Sequence, residues 1–292
     1  MPAYEGDVIR PPSEADSLIL QYTIGCSHNQ CNFCPAYKRK SFRIRSLDEM
    51  AQDVRNCLPA CADERRIFLA DGDALAAPVQ DLLSLLSLLR SSFPKLQRVG
   101  MYANAKNILK RTPEELALLR EAGLGILYLG IESGDDALLE WMKKGVTAAE
   151  IAKAGRRVKQ AGIKLSVTVL LGIGGIDGSA EHARRTAALL SAIDPDYVGA
   201  LTTMVVPGTL LHELQEQGRF KMPLAFDILS ELAEMLSHTT MTRGLFFANH
   251  ASNYLPLRVR MPSGRDSAVE MIRTFVRTGD ATFLKTERMR RL

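Results

Sequence analysis

The sequence predicts an α/β fold built on a parallel β-sheet, and two observations support this prediction. Six short apolar, β-branched segments alternate with helical patterns in series, which is typical of parallel strands joined by helical crossovers. Many of the loops that directly follow these strands carry glycine and polar residues, where α/β proteins build their sites. Both an open sheet and a sheet curled into a barrel satisfy this pattern.

The six predicted strands are short runs of apolar residues bounded by polar residues or glycine. They cover residues 18–24, 66–70, 96–103, 125–131, 163–171 and 197–206.

The predicted helices have recognisable ends. Ser46 with Glu49 three residues later forms a capping-box pattern, and Thr112 followed by Pro113 marks a second helix start. Gly162 ends another helix. The helices are predicted over residues 47–58, 79–93, from 113 onward, 135–143, 147–161, 179–193, 223–239 and 267–277.

Three segments are predicted along the chain: a lead-in of residues 1–16, a core of residues 17–243, and a basic C-terminal extension of residues 244–292. From residue 258 onward, nine Lys/Arg stand against four Asp/Glu, while the whole chain has a net charge of +4. Such a tail is more commonly a solvated end than a nucleic-acid contact. The polar opening and the lack of a long apolar run indicate a cytoplasmic protein without membrane spans.

Three of the five cysteines, Cys26, Cys31 and Cys34, lie within nine residues of the loop after the first predicted strand. An odd count with this crowding argues against a secreted disulfide scaffold and favours metal or redox chemistry. One loop with this C-x4-C-x2-C spacing can place three thiolates around one metal centre.

Three metal centres are compatible with these cysteines. Zinc would take His28 as a fourth ligand, and a 2Fe–2S cluster would take Cys57 or Cys61. A 4Fe–4S cluster held by only three cysteines would leave one iron open for a small-molecule ligand. The first two centres correspond to a non-catalytic zinc-binding or electron-transfer protein, and the third corresponds to an enzyme.

The cysteine loop, with Phe33 directly before Cys34, resembles that of the radical S-adenosylmethionine (radical SAM) superfamily, whose members usually show C-x3-C-x2-C. The segment LGIESGDDALLEWMKKG at 129–145 resembles the group containing oxygen-independent coproporphyrinogen dehydrogenases and methylthiotransferases. VTVLLGIGG and MVVPGTLL are weaker matches to the same group. Over residues 18–214, the resemblance implies a partial (β/α)6 TIM-type barrel with a C-terminal extension.

The resemblance also implies the chemistry. Cys26, Cys31 and Cys34 would hold a 4Fe–4S cluster whose open iron binds S-adenosylmethionine, and reductive cleavage would give a 5′-deoxyadenosyl radical that abstracts hydrogen from an unidentified substrate. The enzyme would be an oxidoreductase or a transferase acting on a small molecule or RNA, with an electron donor such as flavodoxin or ferredoxin. Cofactor contacts are expected at Phe33, Asp71, Gly72, Asp73, Glu132, Ser133, Gly172 and Val206.

Four further residues are candidates for substrate binding. Asn249, His250 and Asn253 crowd polar groups into an irregular segment after the last core helix, where a loop could close the barrel mouth. A structural polar turn is an equal alternative for this segment. Tyr102, at the end of the third predicted strand, is the fourth candidate, with core packing as its alternative.

Overall fold

The computed structural model describes residues 2–291, in which strands and helices alternate along most of the chain. The strands are β1 (Leu18–Gln21), β2 (Thr23–Ile24), β3 (Arg43–Ile44), β4 (Arg66–Ala70), β5 (Arg98–Ala103), β6 (Leu124–Glu132), β7 (Lys164–Leu171), β8 (Tyr197–Thr202), β9 (Gly244–Phe247) and β10 (Arg258–Met261). The α-helices are α1 (Leu47–Cys61), α2 (Val79–Ser92), α3 (Ala105–Lys110), α4 (Pro113–Glu121), α5 (Asp136–Trp141), α6 (Ala148–Gln160), α7 (Gly175–Ile193), α8 (Leu210–Glu216), α9 (Ala225–His238) and α10 (Arg265–Thr278).

The chain divides into two compact units. The first contains residues 2–29, Ala36–Leu129 and Ala154–Leu165. The second contains Gln30–Pro35, Gly130–Lys153 and residues 166–291.

The first unit is built on parallel strands in the order β1, β4, β5 and β6. The central strand β4 is an almost continuous apolar run, as expected for a parallel strand covered on both faces. The predicted strand 18–24 is divided, because only its first part pairs with β4. Its last two residues form β2, which pairs antiparallel with β3.

The second unit contains strands β7, β8 and β9, which pair in parallel, and β10, which pairs antiparallel with β9. The prediction of an irregular stretch after residue 244 is therefore wrong in part, since β9 and β10 lie there. Each has only four residues, too few for a clear periodic pattern. The predicted strand 197–206 ends at Thr202, whose N–H donates to the side chain of Asn253 instead of to a neighbouring strand.

The helix caps predicted from the sequence are present. Ser46 forms the predicted capping box with Glu49, and Thr112, predicted as a helix start, forms a capping box with Glu115. Helix α1 runs past Pro59 to Cys61, three residues beyond its predicted end. The short helices α3 and α8 were not predicted from the sequence. No helix within residues 2–291 has the length and apolar character required to cross a membrane.

Candidate functional site

The three-cysteine loop begins directly after β2. Cys26 belongs to the first unit, and Cys31 and Cys34 belong to the second. All three are half-buried, so none of these thiols is enclosed in the apolar core. Among residues 2–291, no three His, Cys, Asp or Glu side chains are arranged to hold a metal ion. The expected ligand set therefore rests on the donor chemistry of the three cysteines and on their spacing in the sequence.

Asp71, in the turn after β4, anchors the chain on both sides of the cysteine loop. Its Oδ2 accepts hydrogen bonds from Gly25 N at 2.9 Å, Gln21 Nε2 at 3.1 Å and Lys40 Nζ at 2.8 Å. Asp71 is fully buried. Its Oδ1 is also buried and has no hydrogen-bond partner within the described chain. The carboxylate therefore fixes the residue before Cys26 and a lysine beyond the last cysteine.

Gly72 brings this turn into close contact with the first cysteine. Its N–H donates to Gly25 O at 3.0 Å. A Cβ at Gly72 would lie 2.7 Å from Cys26 Cβ and 2.8 Å from Tyr37 Cε2, closer than carbon atoms approach without displacement. Glycine is required here by this close approach, so Gly72 helps to determine where Cys26 lies.

Asp73 forms a second anchor next to Cys26. Its Oδ2 accepts hydrogen bonds from Ser27 Oγ and, at 2.5 Å each, from the side-chain amides of Asn104 and Asn107. Burial raises the pKa of Asp73 to about 6, against the opposing effect of hydrogen bonds from Ser27 and Asn107. Neither asparagine was predicted from the sequence. The available signal was weak: Asn104 follows β5 and caps α3.

Tyr102 lies in an aromatic cluster of the first unit. Its ring meets the rings of Phe68 and Tyr128 edge to face, with centroids 4.9 and 6.2 Å away. Burial raises the pKa of Tyr102. The hydroxyl of Tyr128 donates to Glu14 at 2.5 Å, and Glu14 is fully buried. The Tyr102 ring is therefore packed against two other rings, and its part in substrate binding stays a prediction.

In the second unit, Asn32 fixes the part of the loop that carries Cys31 and Cys34. This buried residue donates from its backbone N to Met142 O at 3.1 Å and from Nδ2 to Trp141 O at 2.8 Å. Its own carbonyl accepts the N–H of Leu211 at 3.1 Å. Asn32 therefore joins the cysteine segment to the end of α5 and the start of α8. Asn32 was not predicted from the sequence, because its partners are backbone groups more than 100 residues away. The expected cofactor contact Phe33 follows it and is half-buried.

Glu132 ends β6 in a conformation that is rare for a residue with a side chain. Its φ of 64° lies in the left-handed region, which costs free energy and is concentrated at functional sites. Its carboxylate pairs with Lys144 Nζ at 2.8 Å. The next residue, Ser133, is fully buried, and its Oγ lies 2.8 Å from Nδ1 of His182.

Gly172 and Val206 lie in turns after β7 and β8. Gly172 has a φ of +80°, and its N–H donates to Glu231 Oε1 at 2.7 Å. A Cβ there would lie 2.5 Å from Ile228 Cδ1. The carbonyl of Val206 accepts both the N–H of Thr209, at 3.2 Å, and its hydroxyl, at 2.7 Å.

The three candidate substrate residues after β9 differ in exposure. Asn253 is buried, and its Oδ1 accepts from both N and Oγ1 of Thr202 at 2.9 Å, while Nδ2 donates to Ala200 O at 2.8 Å. His250 is half-buried, and its Nδ1 lies 2.9 Å from Ser252 Oγ. Burial, and then Lys285, lower the pKa of His250. Asn249 is exposed.

The basic C-terminal tail is not wholly solvated. Arg290 is buried and stacks over the ring of Tyr254, with its guanidinium carbon 4.3 Å from the ring centroid. The guanidinium donates to Ser252 O at 2.6 Å, to Tyr254 Oη at 2.7 Å and to Thr203 O at 3.2 Å. This arginine therefore ties the tail to the end of β8 and to the segment after β9.

Each unit thus brings a subset of the expected residues together. In the first unit, Asp71, Gly72 and Asp73 contact the residues on either side of Cys26 or Cys26 itself. In the second unit, Ser133 and Gly172 each bond to a buried side chain, His182 and Glu231 respectively. Neither His182 nor Glu231 was singled out from the sequence, because each lies within an ordinary amphipathic helix.

Comparisons with known proteins agree on one family. Residues 20–190 match the model of the Radical SAM superfamily. The chain is 20% identical over 205 residues to the heme chaperone HemW of Bacillus subtilis, covering 68% of this chain and 53% of that protein. It is 26% identical over 235 residues to a probable threonylcarbamoyladenosine tRNA methylthiotransferase of Methanocaldococcus jannaschii, covering 76% and 53%. The chain thus spans about half the length of these two relatives.

A solved structure shows the same fold. Coproporphyrinogen III oxidase (HemN) from Escherichia coli, a radical SAM enzyme, superposes with a TM-score of 0.59 at 17% identity, covering 76% of this chain and 52% of that one. The fold class predicted from the sequence, a partial (β/α)6 barrel, is confirmed by this likeness.

Proposed function

This chain belongs to the radical SAM superfamily, and on that premise we propose that it is an enzyme that cleaves S-adenosylmethionine reductively and uses the product radical on a substrate. Proteins of this family bind a 4Fe–4S cluster and S-adenosylmethionine, which confirms the cofactors expected from the sequence. The resemblance to coproporphyrinogen dehydrogenases and methylthiotransferases is confirmed as well.

Cys26, Cys31 and Cys34 are the proposed cluster ligands. Their donor chemistry fits, since iron–sulfur clusters are held by thiolates and all three side chains are half-buried in one loop. Gly72 supports the assignment, because the space beside Cys26 admits no Cβ from the adjacent turn. When bound, the cluster and S-adenosylmethionine supply a 5′-deoxyadenosyl radical that takes a hydrogen atom from the substrate.

The observation that carries the proposal is the anchoring of the cysteine loop by buried side chains. Asp71 bonds to Gly25 before the first cysteine and to Lys40 beyond the last. Asn32 holds the segment between the second and third cysteines through three hydrogen bonds. A loop that served only as a connection would not require a fully buried carboxylate at its base.

The finer roles are part of the same proposal. Contacts with the cofactors are proposed for Phe33, Asp71, Gly72, Asp73, Glu132, Ser133, Gly172 and Val206, and substrate contacts for Tyr102, Asn249, His250 and Asn253. The burial of Asn253, with hydrogen bonds at both its Oδ1 and its Nδ2, supports a role in shaping the site. A small-molecule or RNA substrate, an electron donor such as flavodoxin or ferredoxin, and a cytoplasmic location complete the proposal.

Anaerobic reconstitution with iron and sulfide tests it. We expect iron and sulfide in the ratio of a 4Fe–4S cluster, a broad absorption near roughly 400 nm, and release of 5′-deoxyadenosine after addition of a reductant. Cys26→Ala, Cys31→Ala and Cys34→Ala should each lose iron, whereas Cys57→Ala and Cys61→Ala serve as matched controls and should keep it. Stoichiometric zinc, or a 2Fe–2S cluster that needs Cys57 or Cys61, without 5′-deoxyadenosine would favour the non-catalytic alternative.

A further inference from the structure

Two buried titratable side chains of the second unit have no role in the function proposed above. His182 on α7 is fully buried, and Glu231 on α9 is 2% exposed. Among the described residues, Glu231 forms no ion pair with a lysine or an arginine. The titratable side chain beside it is His182, with Nε2 3.5 Å from Oε1. Burying such groups is costly, so their retention calls for a physical reason.

His182 connects the turn after β6 with β7. Its Nδ1 lies 2.8 Å from Ser133 Oγ, and its Nε2 lies 3.0 Å from the carbonyl of Leu170. A carbonyl only accepts, so Nε2 carries the proton and Nδ1 accepts the hydroxyl of Ser133. Burial lowers the pKa of His182 to about 4, which keeps the ring neutral near pH 7.

Glu231 connects the turn after β7 with α7. Its Oε1 accepts the N–H of Gly172 at 2.7 Å, and its Oε2 accepts the hydroxyl of Ser179 at 2.5 Å. Gly172 is enclosed here, since Ile228 and Met222 leave no room for a Cβ. The Glu231 carboxyl is therefore the hydrogen-bond acceptor for the N–H of Gly172 in this enclosed position.

Helix α7 is the element common to both connections. It carries His182 and Ser179, and also Thr186, whose Oγ1 accepts the N–H of Gly134 at 2.9 Å. A Cβ at Gly134 would collide with the backbone of α7 at Arg185, so the turn after β6 rests directly on this helix. Displacement of α7 would disturb both turns.

We propose that His182 and Glu231 are positioning residues that lock the turn at 132–134 and the turn at 172–174 to helix α7, so that the two turns move as one unit. Ser133 and Gly172 lie in these turns and are proposed contacts of S-adenosylmethionine. The effect of the lock on cofactor affinity therefore rests on the proposed function, whereas the coupling between the turns does not.

Hydrogen exchange on the full chain tests the coupling. Glu231→Leu removes the acceptor of Gly172, and Glu231→Gln keeps an acceptor oxygen without the charge. Glu234→Gln, one turn away from Glu231 on α9 and partly exposed, is the matched control. In Glu231→Leu we expect exchange to rise about tenfold in peptides covering 170–176 and also 130–136, because loss of one buried hydrogen bond is worth about 1.4 kcal/mol. Glu231→Gln and the control should match the wild type.

Hydrogen exchange in the peptide covering 130–136 decides between coupling of the two turns and a local effect of Glu231. A rise confined to 170–176 would show that Glu231 acts locally and would overturn the coupling. Equal exchange in Glu231→Leu and Glu231→Gln would overturn the role of the acceptor. His182→Gln offers an independent check, since it should loosen 130–136 and 170–176 even if Glu231→Leu folds poorly.

Cofactor binding provides a second measurement. In reconstituted protein, Glu231→Leu should bind S-adenosylmethionine about tenfold more weakly than wild type at unchanged iron content per chain, and Glu231→Gln should restore the affinity. Iron content that falls together with affinity would indicate general damage and contradict a positioning role. If the wild type itself binds no S-adenosylmethionine, the proposed function fails, and the exchange experiment alone decides the coupling.

Discussion

Lys40 and Asp71 form an ion pair, with Nζ 2.8 Å from Oδ2, that joins the chain beyond the cysteine loop to the turn after β4. The Asp71 side chain is fully buried, and that of Lys40 is 11% exposed. A buried pair of this kind adds little net stability, but removing one partner leaves an uncompensated buried charge.

Replacing Lys40 with methionine should therefore be costly. We expect Lys40→Met to lower the free energy of unfolding by about 3 kcal/mol, because the Asp71 carboxylate keeps only neutral donors. Iron retained after reconstitution should fall as well, since the loop loses one anchor. Urea unfolding followed by circular dichroism, together with an iron assay, measures both effects. Lys38→Met is the control, because Lys38 is exposed on the same loop. Equal stability of the two variants would contradict the anchoring role.

The buried carboxyl of Glu231 should give the protein a distinctive pH dependence. Burial raises the pKa of Glu231 from 4.5 to about 7. Between these values the folded protein binds a proton more tightly than the unfolded chain, so this group's contribution to the free energy of unfolding falls as the pH rises. The full effect is about 3 kcal/mol.

Comparison with Glu231→Gln isolates this contribution. The lowered pKa of His182 makes stability rise between about pH 4 and pH 6.5, but both proteins carry that residue. We expect the stability of the wild type relative to Glu231→Gln to decrease between pH 4.5 and pH 7, as measured by urea unfolding at each pH. A constant difference across this range would show that Glu231 titrates normally.

Arg290 should make the C-terminal tail part of the folded structure. Its guanidinium is buried against Thr203, Ser252 and Tyr254. Arg290→Met should lower the free energy of unfolding by about 3 kcal/mol, because buried carbonyls lose a charged donor. Amide exchange should increase in residues 250–254. Arg288→Ala, an exposed neighbour, should change neither measurement by more than about 0.5 kcal/mol. Faster amide exchange in the tail of Arg290→Met, without faster exchange in residues 250–254, would contradict this expectation.

Substitutions at Asn253 and His250 should distinguish a structural role from a role in substrate binding. Asn253→Ala leaves the buried N–H and hydroxyl of Thr202 without an acceptor. We expect the free energy of unfolding, measured by thermal or urea unfolding, to fall by about 2 kcal/mol. His250→Ala, at a half-buried position, should cost less than about 1 kcal/mol and should spare formation of 5′-deoxyadenosine. Loss of that product in His250→Ala would place this residue with the cofactors instead of the substrate.

The local signals in the sequence located most elements and the cysteine loop. Capping residues such as Ser46 and Thr112 act within one turn of helix, so their effect is visible in four adjacent letters. The strand at 66–70 was bounded correctly because its apolar run is continuous. Asn32, His182 and Glu231 were missed, since each acts through backbone groups that only the folded chain brings near.

The sequence by itself predicted the alternation of strands and helices in the core and the position of the three cysteines after the first strand. Both depend on periodicity and spacing, which are properties of neighbouring residues. The family was indicated by the resemblance of the cysteine loop and of the segment at 129–145. Only the tertiary structure decided which side chains anchor the cysteine loop. Asp71 and Asp73, which a sequence presents as turn residues or cofactor contacts, became buried anchors because folding removed them from water and left particular donors within reach. A buried charge requires such partners, and their identity is set by long-range contacts that no local pattern records.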